Sequence, residues 1–118
     1  MGLSLRTLIA LVTVAGTAGA SAADYSPIDC AKARGPALTT ICNSYSLGQS
    51  EARMATLYGI ATSLVGMGQR GDLGDAQVAW LKTRDACGAG KACLAKAYEL
   101  RIDQLSKVLS GIASRGPF

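Results

Sequence analysis

Residues Gln77 to Leu105 read QVAWLKTRDACGAGKACLAKAYELRIDQL, and this stretch decides the fold. Trp80, Leu81 and Arg84 recur at helical spacing up to Cys87. Gly88-Ala89-Gly90 breaks the pattern. From Cys93 a second helical pattern runs through Leu94, Ala97, Tyr98, Arg101 and Leu105. A cysteine that closes one helix and a cysteine that opens the next predict a helical hairpin stapled across its turn.

The hairpin extends in both directions. Downstream, Val108, Leu109 and Ile112 continue the apolar stripe, so the last helix is expected from about Lys91 to Ile112, before Gly116-Pro117 ends the order. Upstream, Asp72 or Asp75 is the expected cap of the helix that ends near Ala86, with Leu73, Ala76, Trp80, Leu81 and Arg84 on one side. Gly68 to Gly74 reads as a loop. Before it, Ser46-Leu47-Gly48-Gln49 has the form of a capping box for a helix from about Leu47 to Val65, fraying near Gly66. The apolar face of that helix is Leu47, Met54, Leu57, Tyr58, Ala61, Leu64 and Val65, and Glu51 falls among them. Nearest the N-terminus, Ser26-Pro27-Ile28-Asp29 predicts a short helix through Cys30 to about Arg34. Gly35-Pro36 ends it, and Pro36 starts a second short helix through Ile41 and Cys42. Alternation never persists, so no strand is expected. The fold class is all-α: three main helices plus a short N-terminal helical hairpin, stapled by disulfides.

Residues 1–23 are set apart from this domain. Arg6 gives a basic start, Leu8 to Ala15 is a short apolar run, and small residues fill positions 16 to 23. That is the pattern of a secretory signal peptide, too short for a membrane span. Cleavage is expected after Ala23, with Ala20 and Ala22 as alternatives, and leaves no stable membrane anchor. Residues 24–118 then form one domain with a modest core.

The full chain carries 12 basic and 8 acidic residues and no histidine. The cations are scattered singly, and one tryptophan and one phenylalanine offer little for base stacking, which argues against nucleic-acid binding. Four cysteines in a short exported chain favour disulfides. Structural zinc sites use tighter pairs, often with histidine, whereas here eleven residues separate Cys30 from Cys42 and five separate Cys87 from Cys93. The expected pairs are Cys30–Cys42 and Cys87–Cys93, each joining neighbouring elements. No metal and no cofactor is expected.

The stretch Trp80, Leu81, Arg84, Asp85, Cys87, followed by Cys93, Leu94, Tyr98, Arg101, Ile102 and Leu105, resembles the N-terminal domain of the LprI-type lysozyme-inhibitor family. Asp29 to Ala33, Ile41-Cys42 and the spaced Leu47, Glu51, Met54 and Tyr58 fit the same pattern, although the family usually carries an aspartate where this chain has Glu51. The resemblance implies a small helical, four-cysteine protein of the bacterial envelope, periplasmic or secreted, whose partner is a protein: a lysozyme that it blocks.

The residues themselves are consistent with a binding protein and argue against an enzyme. Without histidine the commonest general base is missing, and disulfide-bonded cysteines provide no thiolate. Trp80 and Arg84, four apart on one helix face, suit either a binding anchor or a core role. The core role is favoured, since a chain with one tryptophan needs that volume inside. Glu51, alone on an apolar face, is expected to pair with Arg84 or Arg101. Tyr58 and Tyr98 lie on apolar stripes and are expected in the core. That leaves the turn Gly88, Gly90, Lys91 as the candidate contact site: short, tethered at both ends and carrying one cation that would face the carboxylate pair of a lysozyme cleft. A net positive charge gives no long-range attraction to a basic lysozyme, so an envelope interaction or stress-related accessory module without lysozyme inhibition is the alternative.

Overall fold

In the computed structural model, residues 28–116 are described. The expected signal peptide and the Ser26-Pro27 cap lie outside them. Four helices follow in order: α1 Pro36–Cys42, α2 Tyr45–Leu64, α3 Met67–Ala86 and α4 Lys91–Ala113, with no strand among the described residues. The chain is all-α, and both expected disulfides are present, Cys30–Cys42 and Cys87–Cys93.

The three long helices run up, down and up. As α2 ascends from Glu51 through Met54 to Tyr58, its partners on α3 descend from Arg84 through Gln77 to Gly74. Trp80 against Ala97 and Gln77 against Arg101 show the same reversal between α3 and α4. Consequently α2 and α4 point the same way, and they form the most extensive packed pair. Leu47, Met54 and Ala61 of α2 meet Leu94, Tyr98, Leu105 and Ile112 of α4 in the core, at the steps of three and four that put side chains on one helical face. Ala37 and Ile41 of the short α1 join this core and place α1 against all three long helices.

Four expectations are corrected. The segment before Gly35 is a turn and not a helix among the described residues: the Asp29 carboxylate accepts the Ala31 N–H at 3.1 Å, and Lys32 N–H bonds the Asp29 carbonyl at 3.0 Å. An aspartate that bonds its own backbone two residues on offers the chain an alternative to helix. Only one limb of the N-terminal hairpin is therefore helical. Next, α2 is capped by Ser44, whose hydroxyl accepts the Leu47 N–H at 3.4 Å, and not by Ser46. Third, Gly68 to Gly74 is helical, and neither Asp72 nor Asp75 caps α3, whose N-cap is Gly66.

The reason for the third correction is tertiary. The Arg70 guanidinium reaches back to the carbonyls of Thr62 at 2.9 Å and Val65 at 3.4 Å, so the first turn of α3 covers the exposed carbonyls at the end of α2. Leu73 is buried one turn later. Together these ties outweigh glycine costs of about 1 kcal/mol per residue. Lastly, Leu64 and Ala76, expected on buried faces, are exposed.

Candidate functional site

The turn between α3 and α4 is built by local necessity. Cys87 ends α3 in right-handed geometry and Gly88 follows at φ 56°, a left-handed position that glycine fills without a Cβ penalty. Gly90 N–H then bonds the Cys87 carbonyl at 3.1 Å. A Cβ on Gly90 would stand 3.1 Å from that same carbonyl oxygen, a tight approach that the turn would have to relax by a few tenths of an ångström to accept. The Cys87–Cys93 disulfide closes the turn from the side. Gly88 is half-buried beside Pro36, while Gly90 and Lys91 are exposed. The start of α1 and the stapled turn therefore share one end of the molecule, and Cys30–Cys42 tethers the segment leading into Pro36.

Directly beneath this end lies a buried polar network. Glu51 of α2 accepts the Tyr98 hydroxyl through Oε2, and the same oxygen is 3.5 Å from Arg84 Nη1. Arg84 also binds Asp85 Oδ1, through Nη2 at 2.8 Å and Nε at 2.9 Å. The guanidinium carbon stands 5.6 Å from the centroid of the Trp80 ring, and Trp80 meets Tyr98 edge-on at 5.2 Å. Trp80 donates its indole N–H to the Ala97 carbonyl at 2.9 Å. So Trp80 is a core residue with its polar edge satisfied.

The electrostatics follow from burial. Burial works against the Arg84 charge, but the hydrogen bond it donates to Asp85 and the neighbouring Tyr98, Asp85 and Glu51 outweigh it and hold its pKa above the ordinary value. Burial pushes the Tyr98 hydroxyl far up, and the adjacent Glu51 charge pushes the same way. The network thus sets the Glu51 carboxyl group between a fixed cation and a phenol kept neutral.

Of the two cations offered to Glu51, the structure selects Arg84. Arg101 sits one layer further along α4, donating to Gln77 Oε1 at 3.0 Å, Gln104 Oε1 at 3.2 Å and the Leu73 carbonyl at 3.5 Å. Tyr98 is buried and Tyr58 half-buried, with Tyr58 closer to the Arg101 layer. Gln77 was not singled out from the sequence, yet it bonds both Arg101 and the Met54 sulfur, the latter at 3.3 Å. Its spacing of three and seven from Trp80 and Arg84 is the signal that places it on their face. A second unanticipated feature is an apolar cavity of about 350 Å³ beside the Cys87–Cys93 bridge, lined by Thr83, Ala86, Lys96, Ala97 and Leu100. Nothing in the residue pattern announces it.

Among the described residues no cysteine is free, and no three His, Cys, Asp or Glu side chains are grouped to hold a metal ion. None of the described helices is long and apolar enough to cross a membrane.

These features define a class: a small all-α protein, pinned by two short-range disulfides, with a buried charge network under a stapled turn. The family model of lysozyme inhibitor LprI matches residues 30–108, which is 79 of the 118 residues. The chain belongs to the LprI lysozyme-inhibitor family. No curated protein and no solved structure matches it.

Proposed function

We propose that this protein acts in the bacterial envelope, periplasmic or secreted, as a binding protein that inhibits a lysozyme by occluding its cleft. Membership of the LprI family is the observation that carries the reading. The stapled turn gives it a physical form. Gly90 and Lys91 are exposed at one end, on a backbone fixed by a disulfide and by the Gly90 N–H to Cys87 carbonyl hydrogen bond. A fixed loop binds with little ordering cost, and glycines allow close backbone approach to an enzyme cleft. Lys91 supplies a cation for the pair of carboxylates that a glycoside hydrolase places about its scissile bond. Two disulfides agree with an oxidising compartment, as does the signal-peptide pattern of residues 1–23.

A turbidity assay on bacterial cell walls, with the purified disulfide-bonded protein against lysozymes of different types, tests the reading. Lys91→Glu is expected to weaken inhibition at least about tenfold, or about 1.4 kcal/mol, with helical content and thermal midpoint near wild type. Inhibition that survives this change moves the contact elsewhere on the bundle. The second reading, an envelope interaction module without lysozyme inhibition, is favoured by one observation: the net charge, +4 for the whole sequence and +3 once Arg6 leaves with residues 1–23, repels a basic lysozyme at long range. Failure of the wild-type protein to inhibit any lysozyme would leave that reading in place.

A further inference from the structure

The apolar cavity beside the Cys87–Cys93 bridge is held open by ties between α3 and α4. At one end the disulfide joins the C-cap of α3 to the first turn of α4. Further along, the Trp80 indole N–H bonds the Ala97 carbonyl at 2.9 Å, and the Arg101 Nε–H bonds Gln77 at 3.0 Å. Within these ties α3 presents Thr83 and Ala86 and α4 presents Ala97, side chains too small to fill the space between two helices. What remains is about 350 Å³, open to solvent on one side and within the range of small-ligand sites. Since its walls are already fixed, a ligand entering it has little ordering cost to overcome.

The lining names the chemistry of that ligand. Leu100, 51% exposed, is an outer wall, and the Thr83 hydroxyl is already engaged with the Ala79 carbonyl at 3.3 Å. Lys96 is the one charged residue of the lining, and it is a cation. Its ammonium lies 3.3 Å from the Glu99 carboxylate, with both side chains exposed. A surface pair of this kind contributes little, so another anion can take the place of Glu99. Apolar walls with a single cation suit an apolar chain that ends in an anion. At about 30 Å³ for each water-sized group, the space holds about a dozen such groups, which is one chain and not the two of a bilayer lipid.

We propose that this groove binds a single-chain fatty acid of about ten carbons, the chain lying between Thr83, Ala86 and Leu100 and the carboxylate pairing with Lys96. The site adjoins the stapled turn, but its occupancy is measured without a lysozyme and does not rest on inhibition.

Trp80, the one tryptophan of the chain, bonds a lining residue and so reports occupancy through its fluorescence, with calorimetry as the direct measure. Disulfide-bonded protein is titrated with hexanoate, octanoate and decanoate at neutral pH, below their micelle concentrations. Affinity is expected to rise about fourfold for each CH₂ added. Decyltrimethylammonium, the same chain with the opposite charge, should bind at least about tenfold more weakly than decanoate. Ala86 and Lys96 are exposed, so changing them leaves the core intact. Ala86→Phe fills the groove and is expected to abolish binding, with helical signal and thermal midpoint near wild type. Lys96→Glu should weaken decanoate at least about tenfold and leave 1-decanol unchanged. If Ala86→Phe lowers the midpoint, Lys96→Glu decides alone. The proposal is overturned if decanoate shows no saturable binding by about 1 mM, if the acid and the ammonium bind alike, or if either variant binds decanoate as wild type does.

Discussion

At the scale of residues, Glu51 decides how the bundle is held at its centre. One of its oxygens serves both the Tyr98 hydroxyl and the Arg84 charge. Replacing it with alanine leaves the buried Tyr98 hydroxyl without its acceptor and leaves Arg84 with the half-exposed Asp85 as its one carboxylate partner, and Glu51→Ala is expected to cost roughly 3 kcal/mol. Chemical denaturation at neutral pH measures this, and an unchanged midpoint would mean that the pair adds nothing. Tyr98 gives a second expectation, with a definite sign. Its hydroxyl titrates well above the ordinary tyrosine value in the folded state. Stability is therefore fully present below about pH 10, where the unfolded tyrosine is still neutral, and falls as pH rises further, because only the unfolded chain releases the proton. Denaturation midpoints at about pH 8 and about pH 11 should differ less in Tyr98→Phe than in wild type. That Glu51 would pair with an arginine was legible, since a lone acid on an apolar stripe requires a cation. Which arginine was not: Arg84 and Arg101 both lie on core-facing stripes, and only the vertical register of α2 against α3 and α4 separates them.

At the scale of elements, the quoted stretch foretold α3, the turn and α4 to within a residue at Ala86 and Lys91. Strong periodicity and a glycine break carry that information locally. The start of α3 was not legible, because what makes Gly68 to Gly74 helical is a contact eight residues back in the chain, from Arg70 to the Thr62 carbonyl. Arg70→Ala is expected to lower stability by about 1 kcal/mol and to speed amide exchange between Met67 and Leu73 more than elsewhere. Exchange rising uniformly over the whole protein would argue against this local tie. At the turn, Gly88→Ala forces a Cβ into the left-handed region and should cost about 1–2 kcal/mol, read as a lower thermal midpoint. If the midpoint does not fall, the turn has another conformation open to it. As for the candidate contact site, the sequence showed a short, charged, tethered turn; that it lies at the same end of the molecule as Pro36 comes from the fold alone.

At the scale of the whole molecule, both cystine bridges join near neighbours, 12 and 6 residues apart, and neither crosses from α2 to its main packing partner α4. Reduction should remove about 2–3 kcal/mol per bridge, yet leave the α2–α4 core contacts formed in whatever fraction stays folded. Circular dichroism of reduced, alkylated protein would show this as a lower midpoint with helical signal retained at low temperature. The pairing also bears on biogenesis. Four cysteines allow three connectivities, and this one closes in the order in which a chain threaded N-terminus first would deliver its thiols. Cys30 and Cys42 can become a ring before Cys87 has emerged, so an early oxidant has no wrong partner to choose. Cys87 and Cys93 arrive together and have only each other left. A chain with this layout is expected to mature without an isomerase to correct it, and oxidative refolding without isomerase that yields mispaired cystines would contradict this.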